Sequence, residues 1–155
     1  MKNIIISKQP ETTKNFEELI RIVKQKNINL IVVKKGDVVE IEKDIYIHIL
    51  WPDKNNSITK NQLNNNSIVC KICYNDFSML FTGDIEKEAE AALLNHTQIF
   101  NVDILKVAHH GSNTSSTENL IRKIHPKFAF IGVGENNKFG HPNAEVINRL
   151  KATRS

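Results

Sequence analysis

No stretch of this sequence is apolar over the roughly twenty residues that a membrane-spanning helix requires. The opening Met1-Lys2-Asn3 leads into only three isoleucines, with no small-residue cleavage site behind them, so the segment does not read as a secretory signal. Cysteine is equally scarce. The two present, Cys70 and Cys73, have no second pair to complete a zinc site. "SIVCKICYN" reads as a strand, in which positions three apart face opposite ways, so two thiols acting as small hydrophobes are expected. No internal repeat is visible. The positive charge, +4 net with a pI near 9.1, is not gathered into a basic run, and scattered lysines are weak evidence for an anionic partner.

What is present suits one soluble domain over residues 1–155: 40% apolar and 25% charged residues, in a chain long enough to bury a core. "KNIIIS" reads as a short strand and "PETTKNFEELIRIVKQKN" as an amphipathic helix capped by Thr12 or Thr13. "NLIVVKKGDVVEI" reads as strand, Gly36-Asp37 turn and strand, and "IYIHIL" as a strand carrying a half-exposed His48. Residues 53–66 have no periodicity and few apolar side chains, which predicts a long, mobile surface loop. Two strands joined at Asn75-Asp76 follow. The second half then alternates strand and helix, with a capping box at Ser115 and Glu118, and Pro142 at the first position of the last helix. The pattern predicts a layered α/β sandwich with a sheet part antiparallel and part parallel.

Four chemically capable residues fall just past the ends of apolar strands: Asp84 in "MLFTGD", His109 and His110 in "LKVAHHGS", and His141 in "KFGHP". Loops at the carboxyl ends of strands are where α/β folds build sites. One carboxylate with up to three imidazoles is a donor set for a borderline metal ion. Each residue alone also has a plain reading: Asp84 and His141 could cap helices. Adjacent histidines flanked by glycine and serine are harder to assign to packing. Ser112, Thr114, Ser115 and Ser116 then run into a helix N-terminus, where they could cap the helix or cradle a phosphate. His96 and His125 read as surface residues.

Together, "NNSIVCKICYNDFSMLFTGDIEKEAE", "DILKVAHHGSNTSS" and "KFAFIGVGENNKFGHP" resemble the carboxy-terminal metallo-β-lactamase-like domain of ComEC-type DNA-internalisation competence proteins. The match extends upstream through "PETTKNFEELIRIVKQKNINLIVVKKGD" and "ILWP". The resemblance implies an αββα sandwich, a centre of two divalent ions (manganese or zinc), and hydrolysis of phosphodiesters in DNA, single-stranded DNA being the expected partner. It implies that Asp84 is the carboxylate shared by two metals, that His109 or His110 ligates or polarises the phosphate, and that His141 is the later histidine of the site. Such hydrolases also carry an H-x-H-x-D-H cluster in the first half of the fold, and nothing like it is present here. The expectation is therefore a chain equivalent to the C-terminal half of the domain, either truncated or a natural variant that has lost the first metal site. Its metal occupancy would be partial or nil and its activity poor without the missing half or a second copy of itself. In a ComEC-type parent the domain would accompany a membrane channel and lie on the extracytoplasmic face. Alternatives are a hydrolase of a small phosphate or other ester, and a non-catalytic domain that binds DNA or a partner.

Overall fold

The structure, a computed structural model, describes residues 2–8, 13–54, 58–96 and 101–153. Strand β1 (Asn3–Ser7) and β2 (Asn29–Val33) pair in parallel as a two-stranded sheet, joined by helix α1 (Lys14–Gln25). Thr13 caps α1 by accepting the Phe16 N–H at 3.2 Å. Glu17 in the first turn and Lys24 in the last complement the helix dipole. Thr12, the other candidate cap, lies outside the described residues.

The main sheet has six strands in chain order: β3 (Val38–Glu42), β4 (Ile45–Trp51), β5 (Val69–Tyr74), β6 (Phe77–Phe81), β7 (Ile104–Lys106) and β8 (Phe128–Phe130). Its first four strands are antiparallel neighbours, and β6, β7 and β8 run parallel. The mixed α/β sheet expected from the sequence is thus present. The two strands around Gly36-Asp37 also exist, but they belong to different sheets. Asp37 closes the turn on Lys34, accepting its backbone N–H and its ammonium at 2.9 Å each, while the Ile49 N–H donates to the Asp37 carbonyl. That bond steers β3 onto β4, away from β2.

The segment at 53–66 is corrected at its C-terminal end: a single helical turn, α2 (Gln62–Asn65), stands where a structureless loop was expected. Polar bonds hold it. Asn65 is fully buried; its Nδ2 donates to the Lys60 carbonyl at 2.8 Å and its Oδ1 accepts the Glu86 N–H at 2.8 Å. Its carbonyl takes the indole N–H of Trp51 at 2.6 Å. Residues 55–57 lie outside the described residues.

Helices α3 (Lys87–His96), α4 (Glu118–Ile124) and α5 (Ala144–Ala152) supply the helical side of the core. Ile85, Ala89 and Leu93, Leu120, Ile121 and Ile124, and Val146 and Leu150 form one cluster with Trp51, Val69, Leu80, Leu105 and Val107 of the sheet side. Two cap expectations change. Thr117, not Ser115, caps α4 by accepting the Leu120 N–H, and Asn143, not His141, caps α5 by accepting the Glu145 N–H at 2.9 Å, so that Pro142 precedes the helix instead of opening it. Strand alternation puts the other sheet rows, Cys70-Phe81-Lys106-Phe130 and Ile72-Met79-Ile104-Phe128, opposite that core. Phe128 and Phe130 stand 63% and 56% exposed there. Cys70 and Cys73 are unbridged, half-buried and on opposite faces of β5. Burial pushes the Cys70 thiol up, away from the reactive thiolate.

Candidate functional site

The parallel strands β6, β7 and β8 end side by side, and the loops leaving them carry the four residues singled out above. At the end of β6, the buried Thr82 hydroxyl donates to the Lys106 carbonyl at 2.7 Å, locking β6 to β7. Gly83 has φ +54°, and a Cβ there would sit 2.6 Å from the Ser67 Cβ, so a side chain at this position would collide. Asp84 follows, half-exposed, with its N–H on the Ser67 hydroxyl at 3.2 Å. It is not a helix cap, because α3 starts three residues later.

At the end of β7 the chain enters a tight 3-10 turn, Ala108–Gly111. His109, His110 and Gly111 are consecutive left-handed residues, with φ of 46°, 54° and 81°. For the two histidines this conformation costs about 1–2 kcal/mol each. The fold holds it by bonds from both sides: His109 N–H to the Gly83 carbonyl at 3.0 Å, Ser112 N–H to the His109 carbonyl at 2.9 Å, and Asn143 N–H to the Gly111 carbonyl at 2.9 Å. Strain sustained in this way belongs to positions whose side-chain direction matters.

His110 Nδ1 approaches the Gly132 carbonyl at 2.6 Å. A carbonyl only accepts, so Nδ1 carries the proton and Nε2 presents a lone pair. That lone pair faces Asp84 Oδ1 at 3.7 Å. Two acceptors held face to face need a positive group between them, either a second ring proton or a cation. An imidazole with its distal nitrogen tied to a backbone carbonyl is also how metal-ligating histidines are oriented. His109 turns the other way, its ring 5.9 Å from the ring of His141 in an edge-on arrangement. Phe139 stacks on His141 at 6.0 Å, and Asn137 holds the His141 backbone by bonds of 2.7 Å and 3.0 Å.

The structure therefore gathers Asp84, His109, His110 and His141 at one edge of the sheet. Among the described residues, however, no three His, Cys, Asp or Glu side chains lie close enough to hold a metal ion. Asp84 and His110 could supply two donors, and the cage is open beyond them.

The serine-rich loop is built differently from a phosphate cradle. Ser112, Ser115 and Ser116 are all buried. The Ser115 hydroxyl donates to the Ile85 carbonyl at 2.8 Å, and Ser112 pairs with Thr114 at 3.0 Å. The N–H groups of Ser116 and Thr117, which would face an anion, both donate to the Glu90 carboxylate, at 2.5 Å and 2.8 Å. These two amides are thus taken by the protein's own carboxylate. From the opposite side the Arg149 guanidinium donates to the carbonyls of Ser115, Ser116 and Asn113. This loop is a clamped support for the histidine turn.

Glu86 and Glu90 were not singled out from the sequence. Burial raises the Glu90 carboxyl above the ordinary glutamate range, although Thr117, Ser116 and Arg149 pull the other way. Glu86 is buried as well, accepting from Asn61 Nδ2 at 2.6 Å and from the Thr114 hydroxyl at 3.0 Å, with His109 Nδ1 at 3.7 Å. A signal existed. In "GDIEKEAEAALL" Glu86 and Glu90 are four apart, each following a residue of the apolar stripe Ile85, Ala89 and Leu93, so they share the buried side of the helix and its lead-in.

No protein-family model matches the chain. It is 34% identical over 151 residues to ComE operon protein 3 of Bacillus subtilis, covering 97% of the chain and 19% of that protein. It is 36% identical over 92 residues to Recombination protein 2 of Haemophilus influenzae, and 31% identical over 90 residues to competence protein ComA of Neisseria gonorrhoeae. Those two matches cover 58% and 57% of the chain, and 11% and 13% of the relatives. The chain thus spans a fifth or less of the curated relatives it matches. Among solved structures, a protein described as a metal-dependent hydrolase from Parabacteroides distasonis aligns with a TM-score of 0.56 at 16% identity, over 98% of this chain and 61% of that one. That likeness shows the fold. Over 97% of its length the chain is the homologue of one segment of the ComEC-type competence proteins, and its fold is metallo-β-lactamase-like.

Proposed function

We propose that this chain forms one wall of a metal-dependent phosphodiesterase centre that acts on DNA, single-stranded DNA in the first place, during uptake. The observation that carries the reading is the pair His110 and Asp84: an imidazole fixed by the Gly132 carbonyl presents its lone pair to a carboxylate across 3.7 Å. A divalent ion there, manganese or zinc, would supply Lewis-acid polarisation of a phosphoryl oxygen. His110 and Asp84 would hold it. His109, on the same turn as His110, and His141, in the loop between β8 and α5, would face the phosphodiester. The competence setting of the relatives supports DNA as the substrate class, and within a ComEC-type parent the domain would sit beside a membrane channel, outside the cytoplasm. Among the described residues of this chain no helix is long and apolar enough to cross a membrane.

Because no three-donor group is present among the described residues, the remaining ligands come from another segment or another copy, and the chain alone is a poor hydrolase. The same observation favours a second reading, a domain that binds DNA without cleaving it. Incubating the chain with single-stranded DNA and manganese, while measuring DNA affinity against salt, separates these. Binding that falls steeply with salt, with little cleavage, fits both. Cleavage that appears when the missing segment is supplied, and is lost in Asp84→Ala, selects the first. Robust cleavage by the chain alone, abolished in Asp84→Ala, would overturn the incomplete-cage account.

A further inference from the structure

Glu86 is the buried group for which the site as described has no use. Its residue is 4% exposed, and its carboxylate is aimed by donors from two separate segments: Asn61 Nδ2 at 2.6 Å on one oxygen and the Thr114 hydroxyl at 3.0 Å on the other. Its own N–H is tied to Asn65 Oδ1 at 2.8 Å. Beside it, His109 Nδ1 is buried and has no hydrogen-bond partner among the described residues. Glu86 Oε1 lies 3.7 Å from it, within ion-pair range and longer than a hydrogen bond.

A ring nitrogen so placed has two choices. As a bare lone pair it would face a carboxylate in a water-poor setting, acceptor against acceptor, which low dielectric makes costly. As an N–H it meets the carboxylate favourably. We infer that Glu86 is a positioning residue that fixes His109 with its proton on Nδ1, so that Nε2 keeps its lone pair on the side of the ring away from Glu86. The backbone does the same for His110 through the Gly132 carbonyl. The two adjacent histidines, turned apart by their left-handed backbone, thereby offer the same nitrogen: His110 toward Asp84, and His109 from the side of the ring away from Glu86. The sequence left open which histidine is the working one; this geometry gives both a working tautomer and separate directions.

The inference rests on the reading of this edge as a histidine–carboxylate site, but its test needs neither metal nor DNA. Long-range proton–nitrogen spectra of the metal-free chain, labelled at histidine, are recorded at about pH 8, where an ordinary imidazole is neutral. The expected result is the Nδ1–H form for both His109 and His110. In Glu86→Ala, His109 passes predominantly to the Nε2–H form while His110 keeps its state. In Glu86→Gln, whose side-chain oxygen still accepts, the Nδ1–H form of His109 is retained. An Nε2–H His109 in the unaltered chain, or a His109 indifferent to a folded Glu86→Ala variant, overturns the inference. Should the alanine variant not fold, the unaltered chain and the glutamine variant still decide it. A failed metal titration would count against the proposed function and leave this result standing.

Discussion

His110 Nε2 and Asp84 Oδ1 face each other across 3.7 Å. The Gly132 carbonyl holds the ring, and the Ser67 hydroxyl holds the Asp84 backbone. The arrangement costs the fold two left-handed histidines and a glycine with no room for a side chain, at the one sheet edge where three parallel strands end together.

Gly111 tests whether that strain is held by packing. At φ +81° a Cβ would lie 2.8 Å from the Pro142 Cβ. Gly111→Ala adds a conformational penalty to a clash against the entry of α5. A loss of about 2–4 kcal/mol in urea unfolding is expected. An unchanged midpoint would mean the turn can relax away from Pro142.

Glu90 satisfies the amide N–H groups of Ser116 and Thr117. Removing it in Glu90→Ala leaves the buried Ser116 N–H and the partly buried Thr117 N–H without this acceptor, for an expected loss of about 3 kcal/mol or more by denaturant titration. A loss under about 1 kcal/mol would show that water replaces the carboxylate.

The same residue gives a pH dependence whose sign is fixed. Burial raises the folded-state pKa of Glu90 above the ordinary value of 4.5, so between the two values the folded state holds the proton more tightly than the unfolded chain. Its contribution is fully present below 4.5 and is lost as pH rises through the folded value. Measured beside Glu90→Gln, which cannot titrate, the unaltered chain loses relative stability on going from about pH 4 to about pH 7. A difference that stays constant, or grows in favour of the unaltered chain, would contradict this.

How much of this was legible beforehand depended on the kind of force at work. Strands and helices set by apolar periodicity read correctly, as with Leu80, Leu105, Leu120 and Ile124. The positions of Asp84, His109, His110 and His141 just past the strands were legible too, because the carboxyl ends of parallel strands share one edge of a sheet. What stayed hidden was set by single polar contacts between distant segments. The turn of α2 exists because Asn65 reaches Glu86, 21 residues on. Ser115 was read as a cap, yet its hydroxyl goes to Ile85, 30 residues back. Glu90 took the amides that local spacing suggested were free for phosphate.

The apolar row on the sheet face away from the helices makes a prediction about association. Phe128 and Phe130 are exposed on β8, an edge strand, beside the half-buried Ile72, Met79 and Ile104. An apolar edge of this kind favours self-association. Sedimentation velocity should show concentration-dependent dimers or larger species that diminish in Phe128→Glu and Phe130→Glu. A strictly monomeric chain at high concentration would contradict it.

The most direct test of the central claim is calorimetric titration of zinc, and separately manganese, into the chain and its Asp84→Ala variant. The account predicts one weakly bound zinc per chain, with affinity reduced about tenfold, a change of about 1.4 kcal/mol, when Asp84 is removed. Identical binding in both proteins would show that His110 and Asp84 do not share a cation. Tight binding of two ions by the unaltered chain would show instead that the centre is already complete.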